Sequence, residues 1–181
     1  VPWFDRLAMA FKMTKAGRFA TSRGEAACIS GTQERLAALE RTLISLKQLP
    51  DRDRRHRLEQ LLTMLGVPGE NGFASVMLTW DEVRALARVG FSIGGHTVTH
   101  PILSRIDADG ARTEIVTSQA MIAAACGQPP RAFAYPNGGP GDYTEAAKDL
   151  VREAGYTCAV TTRFGVNTPA TCVYELGRGG P

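Results

Sequence analysis

The sequence predicts an α/β protein in two parts, a helical stretch over residues 1–75 and a parallel sheet or barrel over residues 76–181. Three observations predict it. Leucines recur every three or four residues up to Pro50 and again beyond it, strand, loop and helix alternate three times in the second part, and a glycine closes each helix there. The 181 residues carry 21 Lys+Arg against 18 Asp+Glu, a net charge of +3, and 44% of them are hydrophobic. A chain of this length buries about 70% of the surface its unfolded form exposes, so a core forms without staples, and disorder and collagen are excluded.

Taken in order, an amphipathic helix is expected from Trp3 to about Lys15, then a polar loop around Thr21 to Ala27. Ser30-Gly31-Thr32-Gln33 has the S-x-x-Q form of a capping box and leads into a stripe of Leu36, Leu39, Leu43 and Leu46. A further helix starts near Asp51, carries Leu58, Leu61, Leu62 and Leu65, and stops at Gly66 with Pro68 beyond. The first 75 residues therefore read as all helix. After Gly72 the texture changes. Thr79-Trp80-Asp81-Glu82 is a second capping box, its helix ending at Gly90, and Phe91-Ser92-Ile93 is a short strand running into Gly94-Gly95-His96. A helix from about Asp109 to Ala125 ends at Gly127-Gln128-Pro129-Pro130, and the strand Arg131 to Tyr135 ends in Pro136-Asn137-Gly138-Gly139-Pro140-Gly141. The last helix, Thr144 to Ala154, stops at Gly155, and Tyr156 to Thr162 is the third strand. In such folds chemistry gathers at strand C-termini.

Composition narrows the function classes. No apolar run approaches the roughly 20 residues of a membrane span, and a surplus of three charges does not point to nucleic acid. The densest basic run, Arg52-Asp53-Arg54-Arg55-His56-Arg57, holds its own acid and leads into the leucines of a helix, which favours a solvated face over a phosphate site. Cys28, Cys126, Cys158 and Cys172 stand singly, with no CxxC, so neither a zinc knuckle nor a redox dithiol is written, and buried free thiols are expected in preference to disulfides, which the compartment would decide.

Two places carry chemistry. His96 and His100 flank Thr97-Val98-Thr99 just after a strand. Extended, positions four apart lie about 13 Å from one another. A turn brings them to about 6 Å, where two imidazoles can share one ion. Pro101 disfavours helix at His100, so a single turn capped by that proline is expected. HxxxH is equally the pattern of two hydrogen-bonded loop histidines, and the Gly-Gly before it at a strand end tips the reading towards a site. The second place is Phe133-Ala134-Tyr135-Pro136-Asn137-Gly138, which is either turn chemistry alone or a turn whose exposed N–H groups receive an oxyanion.

These segments, in order and together with Ala154-Gly155-Tyr156 and Ala159-Val160-Thr161-Thr162, resemble the polysaccharide deacetylase family (NodB homology, carbohydrate esterase family four) over residues 77 to about 178. Within it the sequence is most similar to bacterial members associated with exopolysaccharide synthesis, in which Trp3-Phe4-Asp5-Arg6-Leu7-Ala8 resembles the start of a helical insertion. The resemblance implies a distorted (β/α) barrel, seven-stranded in the family, of which this chain would hold a part lacking the first strands, with a helical insertion at 1–75 and the barrel's C-terminal part at 76–181. It implies metal-dependent removal of acetyl groups, N-acetyl foremost, from a polysaccharide or oligosaccharide. His96 and His100 would be two ligands of a divalent ion, zinc first, completed by an Asp. The backbone N–H of Asn137 would serve the oxyanion, with Tyr135 and Pro136 contacting substrate.

The sequence also departs from the family. It has no Asp-Asp pair for base and third ligand, its Asp109-Gly110 lies at a helix start, and no histidine follows His100 to act as general acid. Ala134 stands at the Arg position of the third motif, and Arg131 is three residues early. The chain opens at Val1-Pro2-Trp3 and closes at Gly179-Gly180-Pro181. The expectation is truncation, with the Thr-Phe-Asp-Asp-Gly segment upstream of Val1. The competing expectation is a carbohydrate-binding or scaffold module of an exopolysaccharide assembly that has lost catalysis.

Overall fold

The computed structural model describes residues 1–20, 26–67 and 77–179, and the chain divides into two compact units, Val1–Met77 and Leu78–Pro181. The change of texture read near Gly72 lies outside the described residues.

In the first unit, α1 (Trp3–Met13), α2 (Thr32–Lys47) and α3 (Asp51–Met64) surround a core of Leu7, Phe11, Phe19, Ile29, Leu46 and the four leucines of α3 and its cap. Residues 1–75 are not all helix. β1 (Arg18–Ala20) and β2 (Ala26–Cys28) pair antiparallel, Phe19 opposite Ala27. Strands of three residues rich in alanine carry no period-two signal, which is why the sequence hides them. The start of α2 also moves by one residue. Gly31 is its N-cap and donates its N–H to Glu34 at 2.9 Å, whereas the Ser30 hydroxyl donates to the Gly17 carbonyl at 3.3 Å. Leu46 is buried, Leu39 and Leu43 pack against the core, and Leu36 is exposed. At 3.6 residues per turn Leu36 stands about 80° from Leu46, on the rim of the stripe.

The basic run is a solvated face with one exception. Arg54 lies one turn before Leu58, is buried, pairs with Asp51 and stacks over the Trp3 ring at 5.1 Å. His56 is exposed and faces the Gln60 side chain at 2.9 Å. The cysteines are free, as expected, but not buried, since Cys28 and Cys172 are exposed and Cys126 and Cys158 half-buried.

The second unit is mixed α/β. It contains α4 (Trp80–Arg88), one 3₁₀ turn at Leu103–Arg105, α5 (Ala108–Cys126), β3 (Ala132–Ala134), α6 (Glu145–Glu153), β4 (Cys158–Phe164) and β5 (Leu176–Arg178). The helix ends follow their chemistry. The Thr79 hydroxyl accepts from the Glu82 N–H while the Glu82 carboxylate accepts from the Thr79 N–H at 2.7 Å. Gly127 closes α5 in the left-handed region at φ 78°, and Thr144 caps α6. The sheet is parallel in the order β3-β4-β5, with Ala134 opposite Val160 and Val160 opposite Leu176. Phe133, Tyr135, Tyr156 and Ala159 fill its core with Ile115, Leu150 and Val151 from the helices.

Phe91-Ser92-Ile93 is not a strand. The segment meets the sheet by a single parallel bridge, Gly95 to Phe133. β5, which the sequence reading does not contain, follows β4 through a connection with no helix, and its three residues include a glycine.

Candidate active site

The His segment is fixed to the sheet first by its backbone. The Gly95 N–H donates to the Ala132 carbonyl at 2.9 Å, and the Gly95 carbonyl accepts from the Ala134 N–H at 2.8 Å. Glycine is required there, because a Cβ on Gly95 would stand 2.1 Å from the Tyr156 hydroxyl oxygen. The motif Ala154-Gly155-Tyr156 thus closes underneath the His motif. One residue on, His96 Nδ1 donates to the Ala134 carbonyl at 2.7 Å. A carbonyl only accepts, so the proton is on Nδ1 and the Nε2 lone pair is available.

Between the histidines the chain bends without forming a helical turn. Thr97 and His100 both take left-handed conformations, φ 63° and 58°. That corrects the expected single turn. A right-handed conformation at His100 would collide with the Pro101 ring, and the bend reaches the same end by other dihedrals. The two imidazoles stand with ring centroids 4.7 Å apart, edge to face at 81°. Two imidazoles on one tetrahedral ion, with metal–nitrogen bonds of about 2.0–2.1 Å, have centroids about 5 Å apart, so the pair fits a shared cation. Among the described residues no group of three or more His, Cys, Asp or Glu is arranged to hold an ion.

The second expected constellation ends β3. Asn137 and Gly138 are both left-handed, φ 62° and 66°, and the turn rests on β4 through the Thr162 N–H, which donates to the Gly138 carbonyl at 3.0 Å. A Cβ on Gly138 would approach the Thr162 nitrogen to 3.0 Å, so the turn sequence is set by space as well as by dihedral. The Asn137 backbone N–H makes no hydrogen bond among the described residues. Tyr135, expected to face substrate, is instead buried. Its hydroxyl donates to the Tyr174 carbonyl at 2.9 Å, its ring stacks on Tyr143 at 4.2 Å, and burial holds its phenol well above the ordinary range. Pro136 is buried as well. Both residues anchor the turn from below.

Partial desolvation lowers the pKa of His96, and the positive charge of Arg178 lowers it further, against the Ala134 carbonyl, which favours the charged ring. The ring is therefore neutral at neutral pH, as a ligand must be. Two contributors escape sequence reasoning. Arg178 reaches the site from the end of β5, and Glu114 of α5 accepts hydrogen bonds from the backbone between the histidines. An open groove of about 670 Å³ leads along Phe91, Ser92, Ile93, His96, Phe133 and Val160.

A bridge-anchored histidine pair and an Asn-Gly turn on adjacent parallel segments, in this order, define the class of protein. The polysaccharide deacetylase family model matches residues 54–159, more than half of the chain, and the chain belongs to that family. Among solved structures it is similar to a Streptococcus pyogenes deacetylase, PplD, in complex with acetate, at 29% identity and TM-score 0.53, covering 56% of this chain and 44% of that one. IcaB from Ammonifex degensii (23% identity, TM-score 0.50, 57% and 47% covered) and the BpsB deacetylase domain from Bordetella bronchiseptica (18%, 0.50, 57% and 48%) share the fold. No curated protein matches. The chain spans less than half the length of these three solved structures. Among the described residues no helix is long and apolar enough to cross a membrane.

Proposed function

We propose that the protein containing this chain is a metal-dependent hydrolase that removes acetyl groups, N-acetyl foremost, from a polysaccharide or oligosaccharide. In this reading the second unit is part of a distorted (β/α) barrel, and residues 1–75 are an insertion outside the metal site. The observation that carries it is the 4.7 Å separation of the His96 and His100 rings beside a sheet whose next strand ends in the Asn137 turn.

His96 and His100 hold the ion, zinc first. When bound it supplies activation of a water and polarisation of the acetyl carbonyl. The Ala134 carbonyl keeps His96 in the tautomer that offers Nε2. The Asn137 N–H is the donor for the oxyanion, a backbone role that survives the loss of the family's side chains at this turn. Tyr135 and Pro136 hold the turn in place. Among the described residues no third His, Cys, Asp or Glu joins the pair, so in this reading they supply neither the third ligand nor the base and acid, and zinc binding by the two imidazoles alone is weak.

Acetate release from acetylated glucosamine oligomers, measured on the larger protein with zinc added, tests the reading. Release that is lost in His96→Ala is expected. Silence across several acetylated glycans overturns it.

A further inference from the structure

The bend from Thr97 to His100 belongs to neither helix nor sheet, and a threonine at φ 63° is rare for a β-branched residue. Such conformations persist only where the surroundings over-determine them. Here one carboxylate supplies three bonds to the bend. Glu114 Oε2 accepts from the Val98 N–H at 2.7 Å and from the Thr99 N–H at 2.9 Å, and Oε1 accepts from the Thr99 hydroxyl at 2.6 Å. Successive N–H groups converging on one oxygen make a concavity for an anion. Hydrogen bonds to an ionised acceptor are about twice as strong as neutral ones. The helix backbone that carries Glu114 is held firmly, because its neighbour Ile115 is buried in the core of the second unit. Its three bonds all land on the two residues between Thr97 and His100.

We propose that Glu114 is a positioning residue for the histidine pair, fixing the bend so that His96 and His100 stand at the separation that accepts one divalent cation. The proposal rests on the metal reading above. Residues outside the first coordination sphere that orient ligands typically change metal affinity by about 10- to 100-fold when removed.

The test uses amide hydrogen exchange on the chain together with a zinc titration followed by the imidazole nitrogen resonances. In Glu114→Ala the Val98 and Thr99 amides exchange at least about tenfold faster and zinc affinity falls about tenfold, while Ile122 in α5 and Ala159 in β4 keep their rates. Glu114→Gln restores most of both, since its amide oxygen accepts the two N–H groups and its NH₂ donates to the Thr99 hydroxyl. A purely structural helix residue would not give that paired rescue. If Glu114→Ala does not fold, Thr99→Val, which removes one bond of the three, shows a smaller acceleration at the same two amides. Unchanged exchange at Val98 and Thr99, or faster exchange with unchanged zinc affinity, overturns the proposal. Wild-type imidazoles indifferent to zinc overturn the metal reading instead, and with it the cation half of the proposal, whereas the exchange rates still judge whether Glu114 holds the bend.

Discussion

The two units solve different problems with their backbones. Among the described residues of the first, only Gly66 takes a positive φ, and its charged side chains tie one element to another. Arg35 donates to the Ile29 carbonyl at 2.8 Å and the Lys12 carbonyl at 3.2 Å, and Arg6 forks onto Glu59 at 2.8 and 3.1 Å. The second holds Thr97, His100 and Asn137, the three described non-glycine residues in the left-handed region, all in the two turns that the site is built from. Strain of this kind is local information. It marks where a sequence has been shaped by something other than packing, and here it separates a scaffold from a site.

The largest effect that sharpens this contrast belongs to the first unit. Leu7→Ala, at a position with 0% exposure, should cost about 2–5 kcal/mol, read from the urea midpoint. Zinc-induced shifts of the His96 and His100 rings should stay where they were. A smaller loss of stability, about 1–3 kcal/mol, is expected from Gly95→Ala, because the added methyl meets the Tyr156 hydroxyl at 2.1 Å and its ring carbon at 2.7 Å. Tyr156→Phe on top of it should recover part of the loss and never all, and a double-mutant cycle measures the coupling. Full recovery would mean that the ring moves freely, and the contrast between a packed scaffold and a tight site would weaken.

Thr79→Ala removes one half of a reciprocal cap and should lower stability by about 1 kcal/mol in thermal unfolding. The smallest effect is a pH dependence. The folded-state pKa of His96 lies below its ordinary 6.5, so as pH falls through that value the unfolded chain takes up its proton first and stability declines. Above it the group contributes no slope. Urea midpoints at pH 7.5 and 5.5 should therefore differ more for the wild type than for His96→Gln.

What was legible in the sequence was whatever a few neighbouring residues decide. The Thr79–Glu82 cap, the Gly127 stop, the strands at 132–134 and 158–164 and the approach of His96 to His100 follow from local spacing, and so did the motifs that carry the family. Glu114 was not legible, since nothing in a helix sequence says that one exposed-looking carboxylate turns towards loop residues fifteen and sixteen positions back. β5 hid behind its glycine, and Phe91-Ser92-Ile93 looked like a strand because its pairing partner, not its composition, decides the matter. Tyr135 was misplaced for a related reason. An aromatic residue before a proline turn reads the same whether it points up into a groove or down onto Tyr143.

The bond from His96 to the Ala134 carbonyl closes a loop of 38 residues, and the glycine before it lies where a Cβ would meet the Tyr156 hydroxyl. Contacts that distant carry a loop-closure cost that must be met before they give anything back. The docking of His96 on the sheet is therefore expected to be a late step of folding. Helices α4 and α5 can form early from their own caps, but His96 takes its place against the sheet only when the Gly95 segment has paired with β3. Mutations in the His bend should accordingly speed unfolding and leave the refolding rate nearly untouched, the kinetic mark of a structure added after the transition state.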